Sequence, residues 1–154
     1  MSPTSASMAK DVSNDFDTDR ALGVLLLRMI LGLNIALHGI TRVFISSLDT
    51  FVGNTVKQFE KTVLPVWQVQ AFATVIPFAE IVIGVMLLLG LKTRWTLIAG
   101  MLLMAGLVFG TAMRNDWTLL ELQMFYVLLY FVLFMCQRWD VYSVKSLTGR
   151  SERA

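Results

Sequence analysis

The chain has 154 residues, one domain's worth, with 13 Lys and Arg against 11 Asp and Glu for a net charge of +2. Its hydrophobic fraction of 56% exceeds the roughly 45–50% of ordinary soluble domains, and mean hydropathy is +0.66. There is no basic run to mark a nucleic-acid partner. A single cysteine, Cys136, allows no intramolecular disulfide or dithiol pair, and a single histidine, His38, allows no multi-histidine haem or zinc site within the chain.

The charges are clustered between long apolar runs, which is the organisation of a membrane protein. Residues 1–19 are small, polar and acidic, and read as a disordered or surface-lying tail; they lack the pattern of a secretory signal peptide. A first span is expected over about Ala21 to Ile40, long enough for the ~30 Å hydrocarbon core at ~1.5 Å per residue. Gly32, Ala36 and Gly39 share one face of it and suit close helix packing.

Residues 41–71 form the one long loop. Phe51, Val52, Val56, Phe59 and Val63 recur there at helical spacing opposite Lys57, Glu60 and Lys61, which predicts an amphipathic helix on the membrane surface, ended at Leu64-Pro65. A second span is expected over 71–91, with Pro77 in its first third, then a Lys92-Thr93-Arg94 turn and a third span over 95–113. Its Gly106 and Gly110 form a G-x-x-x-G, read as packing within the bundle rather than dimerisation. Arg114-Asn115-Asp116 turns the chain into a fourth span over 118–136, with Thr118 and Glu121 at capping-box spacing. Residues 146–154 read as a polar tail. The fold class predicted is all-α: an integral-membrane four-helix bundle with an interfacial helix in its first extracytoplasmic loop.

An even number of spans places both termini on one side, which holds eight of the cations (Lys10, Arg20, Lys92, Arg94, Arg138, Lys145, Arg150, Arg153) against four on the other (Arg42, Lys57, Lys61, Arg114). The excess predicts cytoplasmic termini and an outer loop.

Glu80 stands out as a carboxylate with an apolar run behind it, at an expected depth of ~13 Å from the outer interface. Arg28, ~10 Å in from the other side, is its expected partner. The pair is either a buried ion pair that fixes helix register or the polar centre of a proton- or quinone-handling site. His38, Glu121, Gln123 and Tyr126 lie near the outer ends of their spans and are candidates to converge on Glu80 as quinone contacts or proton relays. Three of them also have a plainer role: His38 at interface depth, Glu121 as a cap, Tyr126 in an aromatic belt.

Leu27-Arg28-Met-Ile-Leu-Gly32 with His38-Gly39, Phe59-Glu-Lys-Thr-Val-Leu64-Pro65, Pro77-Phe-Ala-Glu80-Ile-Val-Ile-Gly84 leading to Leu89-Gly90-Leu-Lys-Thr93-Arg94, and Arg138-Trp-Asp-Val-Tyr142-Ser143-Val occur in an order and spacing that resembles the DoxX family over about residues 22–145. Arg42 stands where the family usually has lysine, and Met135-Cys-Gln137 replaces a glycine-rich approach to the terminal segment. The resemblance implies a small four-span protein of the bacterial inner membrane. Some members are linked to thiosulfate:quinone oxidoreduction and others to oxidative-stress partners, so quinone is the expected cofactor, with electrons drawn from a partner protein or bound cofactor. The competing expectation is a non-enzymatic scaffold or assembly factor that holds a redox or stress-response partner through the amphipathic helix. Both readings allow a homo-oligomer.

Overall fold

The computed structural model describes the backbone of residues 5–142 and the side chains of residues 14–142. It contains five α-helices: α1 (Ser5–Ile40), α2 (Leu48–Phe59), α3 (Val66–Leu89), α4 (Thr93–Met113) and α5 (Trp117–Met135). A π-helical turn, Thr41–Ile45, ends α1, and a 3-10 turn, Gln137–Trp139, follows α5. Four segments, Asn14–Ile45, Val66–Leu89, Thr93–Met113 and Trp117–Met135, are long and apolar enough to cross a membrane. The predicted all-α bundle of four spans and one amphipathic helix is the fold.

The boundaries move in instructive ways. Of the polar tail expected over 1–19, residues 5–19 are helical and continuous with the first span. No proline or glycine interrupts that stretch; Thr18 Oγ1 donates back to the Asn14 carbonyl at 2.9 Å, and Arg20 pairs with Asp17 at 3.5 Å one turn earlier. The C-terminal tail over 146–154 lies outside the described residues. Helix α2 ends at Phe59 rather than at Leu64-Pro65. Thr62 Oγ1 donates to the Phe59 carbonyl and accepts from the Leu64 N–H, a local turn that competes with further helix. Val63 therefore leaves the amphipathic face and is 89% exposed. Pro65 instead opens α3 from an extended conformation, a position where its missing N–H does no harm.

The turns are cut by residues suited to them. Gly90 closes α3 in the left-handed region (φ 64°), letting the Leu91 N–H reach back to the Met86 carbonyl at 2.9 Å. Ser47 caps α2 by accepting from the Thr50 N–H. At α5 the cap is Asp116, which accepts from the Leu119 N–H at 3.2 Å, so the Thr118–Glu121 capping box does not form.

Helices α1 and α3 make the tightest seam. A Cβ placed on Gly84 would lie 2.7 Å from the Ala36 Cα, and one on Gly32 would lie 3.0 Å from the Gly84 carbonyl oxygen and the Leu87 Cβ. Gly39 is pressed in the same way against the Pro77 carbonyl and Ile81. The Gly32, Ala36, Gly39 stripe thus brings the two backbones together, as small residues do where hydrocarbon on both sides leaves close packing as the driving force. Leu31, Ile35, Ile83, Leu87, Leu97, Met104, Tyr130 and Leu133 fill the interior. Tyr130 of α5 lies across the bare backbone of Gly100 in α4.

The expected Arg28–Glu80 pair is not formed. The α1–α3 seam puts Gly39 beside Pro77 and Ile81, so Glu80 is level with the end of α1, about ten residues and ~15 Å from Arg28. Helical side chains also lean toward the N-terminus, which carries Arg28 away from Glu80. Arg28, 2% exposed, grips the segment after α5 instead: it pairs with Asp140 at 3.3 Å and donates to the Tyr142 carbonyl at 3.2 Å. Trp139 in that segment is stacked by Arg20 and Arg138, with ring-centroid distances of 5.2 and 3.9 Å. Replacing Asp140 with asparagine keeps an acceptor but removes the counter-charge, and is expected to lower stability by about 2 kcal/mol. Thermal unfolding of the detergent-solubilised variant, followed by circular dichroism, checks this; an unchanged midpoint would show the segment is not anchored by charge.

Candidate functional site

Glu80 is held by a residue outside the expected set. Its Oε1 accepts from Arg42, while the side chain is only 4% exposed. Arg42 lies in the π-helical turn, four residues beyond His38, where the Ser46 N–H bonds the Thr41 carbonyl at 2.9 Å. The wider turn ends the regular helix next to Pro77 and Glu80, and Arg42 leans back along α1 into the bundle. With 27% of its side chain exposed, the guanidinium spans from the carboxylate to the edge of the fold.

Above this pair α2 lies over the bundle. Two arginine–aromatic stacks fasten it: Arg42 over the Phe51 ring at 5.0 Å and Arg114 over the Phe59 ring at 5.5 Å. Arg114 is itself oriented by Asp116 at 3.1 Å. The apolar face predicted for the membrane surface, Phe51, Val52, Val56 and Phe59, is half-buried against the other helices.

Beneath α2 is a cavity of about 450 Å³ that includes His38, Arg42, Glu80, Gln123 and Tyr126 in its wall, with Phe51, Phe59, Phe72 and Met104 supplying apolar surface. The volume falls within the range of small-molecule sites. Gly106 and Gly110 also face it: a Cβ on Gly106 would meet the Phe72 ring at 3.7 Å and one on Gly110 the Phe59 ring at 3.3 Å. The G-x-x-x-G packs inside the bundle as expected, but against aromatic rings rather than against another helix backbone.

The polar groups of the wall are tied to several helices. Gln123 Nε2 of α5 donates to Thr111 Oγ1 of α4 at 2.9 Å, both residues being buried. The Tyr126 hydroxyl donates to Asn34 Oδ1 of α1 at 3.1 Å. The His38 side chain makes no hydrogen bond among the described residues. Two buried wall oxygens, Glu80 Oε2 and Gln123 Oε1, have no donor among them either.

Of the candidates named from sequence, Glu80, His38, Gln123 and Tyr126 therefore share one cavity. Arg28 is buried about ten residues further back along α1, outside the cavity, and Glu121 is exposed outside it. Glu121 is two positions from Gln123, and a two-residue step turns a helix by about 200°, onto the other face. Arg42, Thr111 and Arg114 belong to the site and were not among its candidates. For Arg42 a signal existed: it stands one helical turn beyond His38, at the same end of the chain's first span.

No curated protein and no solved structure matches the chain. The family model for DoxX matches residues 23–113, from the membrane portion of α1 to the end of α4, and so takes in Glu80, His38, Arg42 and Thr111, while Gln123, Tyr126 and the Asp140 segment lie beyond it. With more than half its length matched and four helices fit to cross a bilayer, the chain belongs to the DoxX family of multi-pass membrane proteins.

Proposed function

We propose that the protein is the membrane subunit of a quinone-linked oxidoreductase, and that the cavity under α2 is its quinone site. The observation that carries the reading is the wall itself: an apolar space within a bundle fit for the bilayer, where the Glu80–Arg42 pair, His38, Gln123 and Tyr126 come together. A ligand with a greasy body and a polar ring suits such a wall, and the volume admits the ring of a quinone. A bound quinone would supply two-electron redox chemistry. The chain's own residues would hold the ring among Phe51, Phe59 and Phe72, present Gln123 and Tyr126 to its oxygens, and keep His38 and Glu80 at hand to give or take protons. Electrons would come from a redox or stress-related partner protein. In this reading the protein sits in a bacterial inner membrane, and the excess of cations at the terminal end supports cytoplasmic termini with α2 outside.

In the alternative reading the protein is a non-enzymatic scaffold that holds a redox or stress-response partner through α2, whose apolar face is half-buried against the bundle.

Gly106→Leu tests the site without attacking the fold, because a Cβ there meets only the Phe72 ring at 3.7 Å and leucine favours helix over glycine by about 0.5–1 kcal/mol. The variant is expected to fold as the wild type does while the quinone in organic extracts of the purified protein falls by about tenfold or more, since ~1.4 kcal/mol of lost binding suffices. Wild-type protein without quinone, or a Gly106→Leu variant that retains it, would overturn the proposal.

A further inference from the structure

Hydrogen-bond capacity in the cavity wall is unevenly spent. One N–H group of Arg42 is engaged on Glu80, Gln123 Nε2 on Thr111, and the Tyr126 hydroxyl on Asn34. Among the buried polar atoms of the wall, those left without a partner accept. Glu80 Oε2 and Gln123 Oε1 are buried with no donor among the described residues. A third acceptor comes from the backbone. Pro77 has no N–H to return to the carbonyl of Ala73, and Ala73 is 1% exposed and lines the same cavity. The unengaged donors sit at the less buried edge of the cavity: His38, Gln58, Gln68 and the remaining N–H groups of Arg42 and Arg114.

We infer that the cavity favours the reduced, hydroxyl-bearing form of its ligand: a hydroquinone, whose two phenolic O–H groups donate to Glu80 Oε2 and to Gln123 Oε1 or the Ala73 carbonyl. This rests on the quinone reading above and specifies the redox form. An oxidised quinone brings acceptors only. Set against the same oxygens it leaves them unfilled and adds the repulsion between its carbonyls and a carboxylate, whereas a hydroquinone satisfies both partners at once.

The full-length protein in lipid nanodiscs, titrated calorimetrically without oxygen against tetramethyl-1,4-benzoquinone and separately against its hydroquinone, provides the test. The hydroquinone is expected to bind about tenfold more tightly, which for a two-electron couple raises the midpoint potential of the bound pair by about 30 mV. Glu80→Gln exchanges an acceptor for a donor, and Gln123→Leu removes one; each should bring the two affinities close together, through weaker hydroquinone binding. The wild-type ratio decides the matter even if neither variant folds. Equal affinities, as when water fills the wall acceptors, or tighter binding of the oxidised form overturn the inference and leave the quinone site standing. Failure of both compounds to bind overturns the site reading and this inference with it.

Discussion

Replacing Arg42 with methionine is expected to destabilise the protein by about 4 kcal/mol, because it leaves the Glu80 carboxylate buried without its counter-charge. The mirror change should be milder. Glu80→Gln leaves Arg42 with 27% of its side chain exposed and a ring to lie on, so the guanidinium can turn toward the surface and keep its Phe51 stack. Its expected effect is about 1–2 kcal/mol. Replacing both, Arg42→Met with Glu80→Leu, removes the charge and its partner together and should recover most of the loss. Unfolding free energies of the wild type, the two single variants and the double variant, measured in one detergent, form the cycle that checks this. Equal effects for the two single variants would show that the carboxylate has another counter-ion. A double variant as unstable as Arg42→Met alone would show that the loss came from packing.

Gly84→Leu should be similarly damaging, for a steric reason. The first atom of any side chain at that position falls 2.7 Å from the Ala36 Cα, and backbone cannot move aside as a side chain can. The helices must separate, and the contacts of Gly32 and Gly39 in the same seam are loosened with them. A loss of about 3 kcal/mol or more is expected, at or above the upper end for overpacked cores. Gly53→Ala supplies the contrast. Nothing lies within 4 Å of a Cβ at Gly53, and alanine in the middle of α2 should stabilise by about 0.5–1 kcal/mol. If both glycine changes shift the unfolding midpoint equally, helix propensity rather than the seam governs stability.

The fold was legible because bilayer thickness translates directly into run length, and four runs of the right length are plain in the sequence. The small-residue stripe of α1 was legible for the same kind of reason: Gly32, Ala36 and Gly39 fall on one face by helical geometry alone. Register between helices was not. Gly84 meets Ala36 because of the particular shapes of both surfaces, and counting depth from the ends of apolar runs placed Arg28 closer to Glu80 than that contact allows. The π-helical turn that positions Arg42 leaves no mark in composition. His38, Gln123, Tyr126 and Glu80 could be grouped correctly, since each is a polar residue at a similar height in an apolar helix. Glu121 shared the height but not the face. The Thr111 partner of Gln123 was hidden because threonine is unremarkable in a spanning helix.

Arg28 and Arg42 are fourteen positions apart on one continuous helical run, about 21 Å along its axis, and each holds a carboxylate that belongs to a different element. Together they act like two pins through the same rod. Sliding α1 by even one turn, ~5.4 Å, would pull both pins at once, so the helices cannot trade vertical offset for comfort when the surrounding bilayer thins or thickens. A bundle pinned in this way answers a change in lipid chain length by tilting as a unit or by deforming the lipid around it, and the separation between its two charged levels stays constant from one membrane to the next.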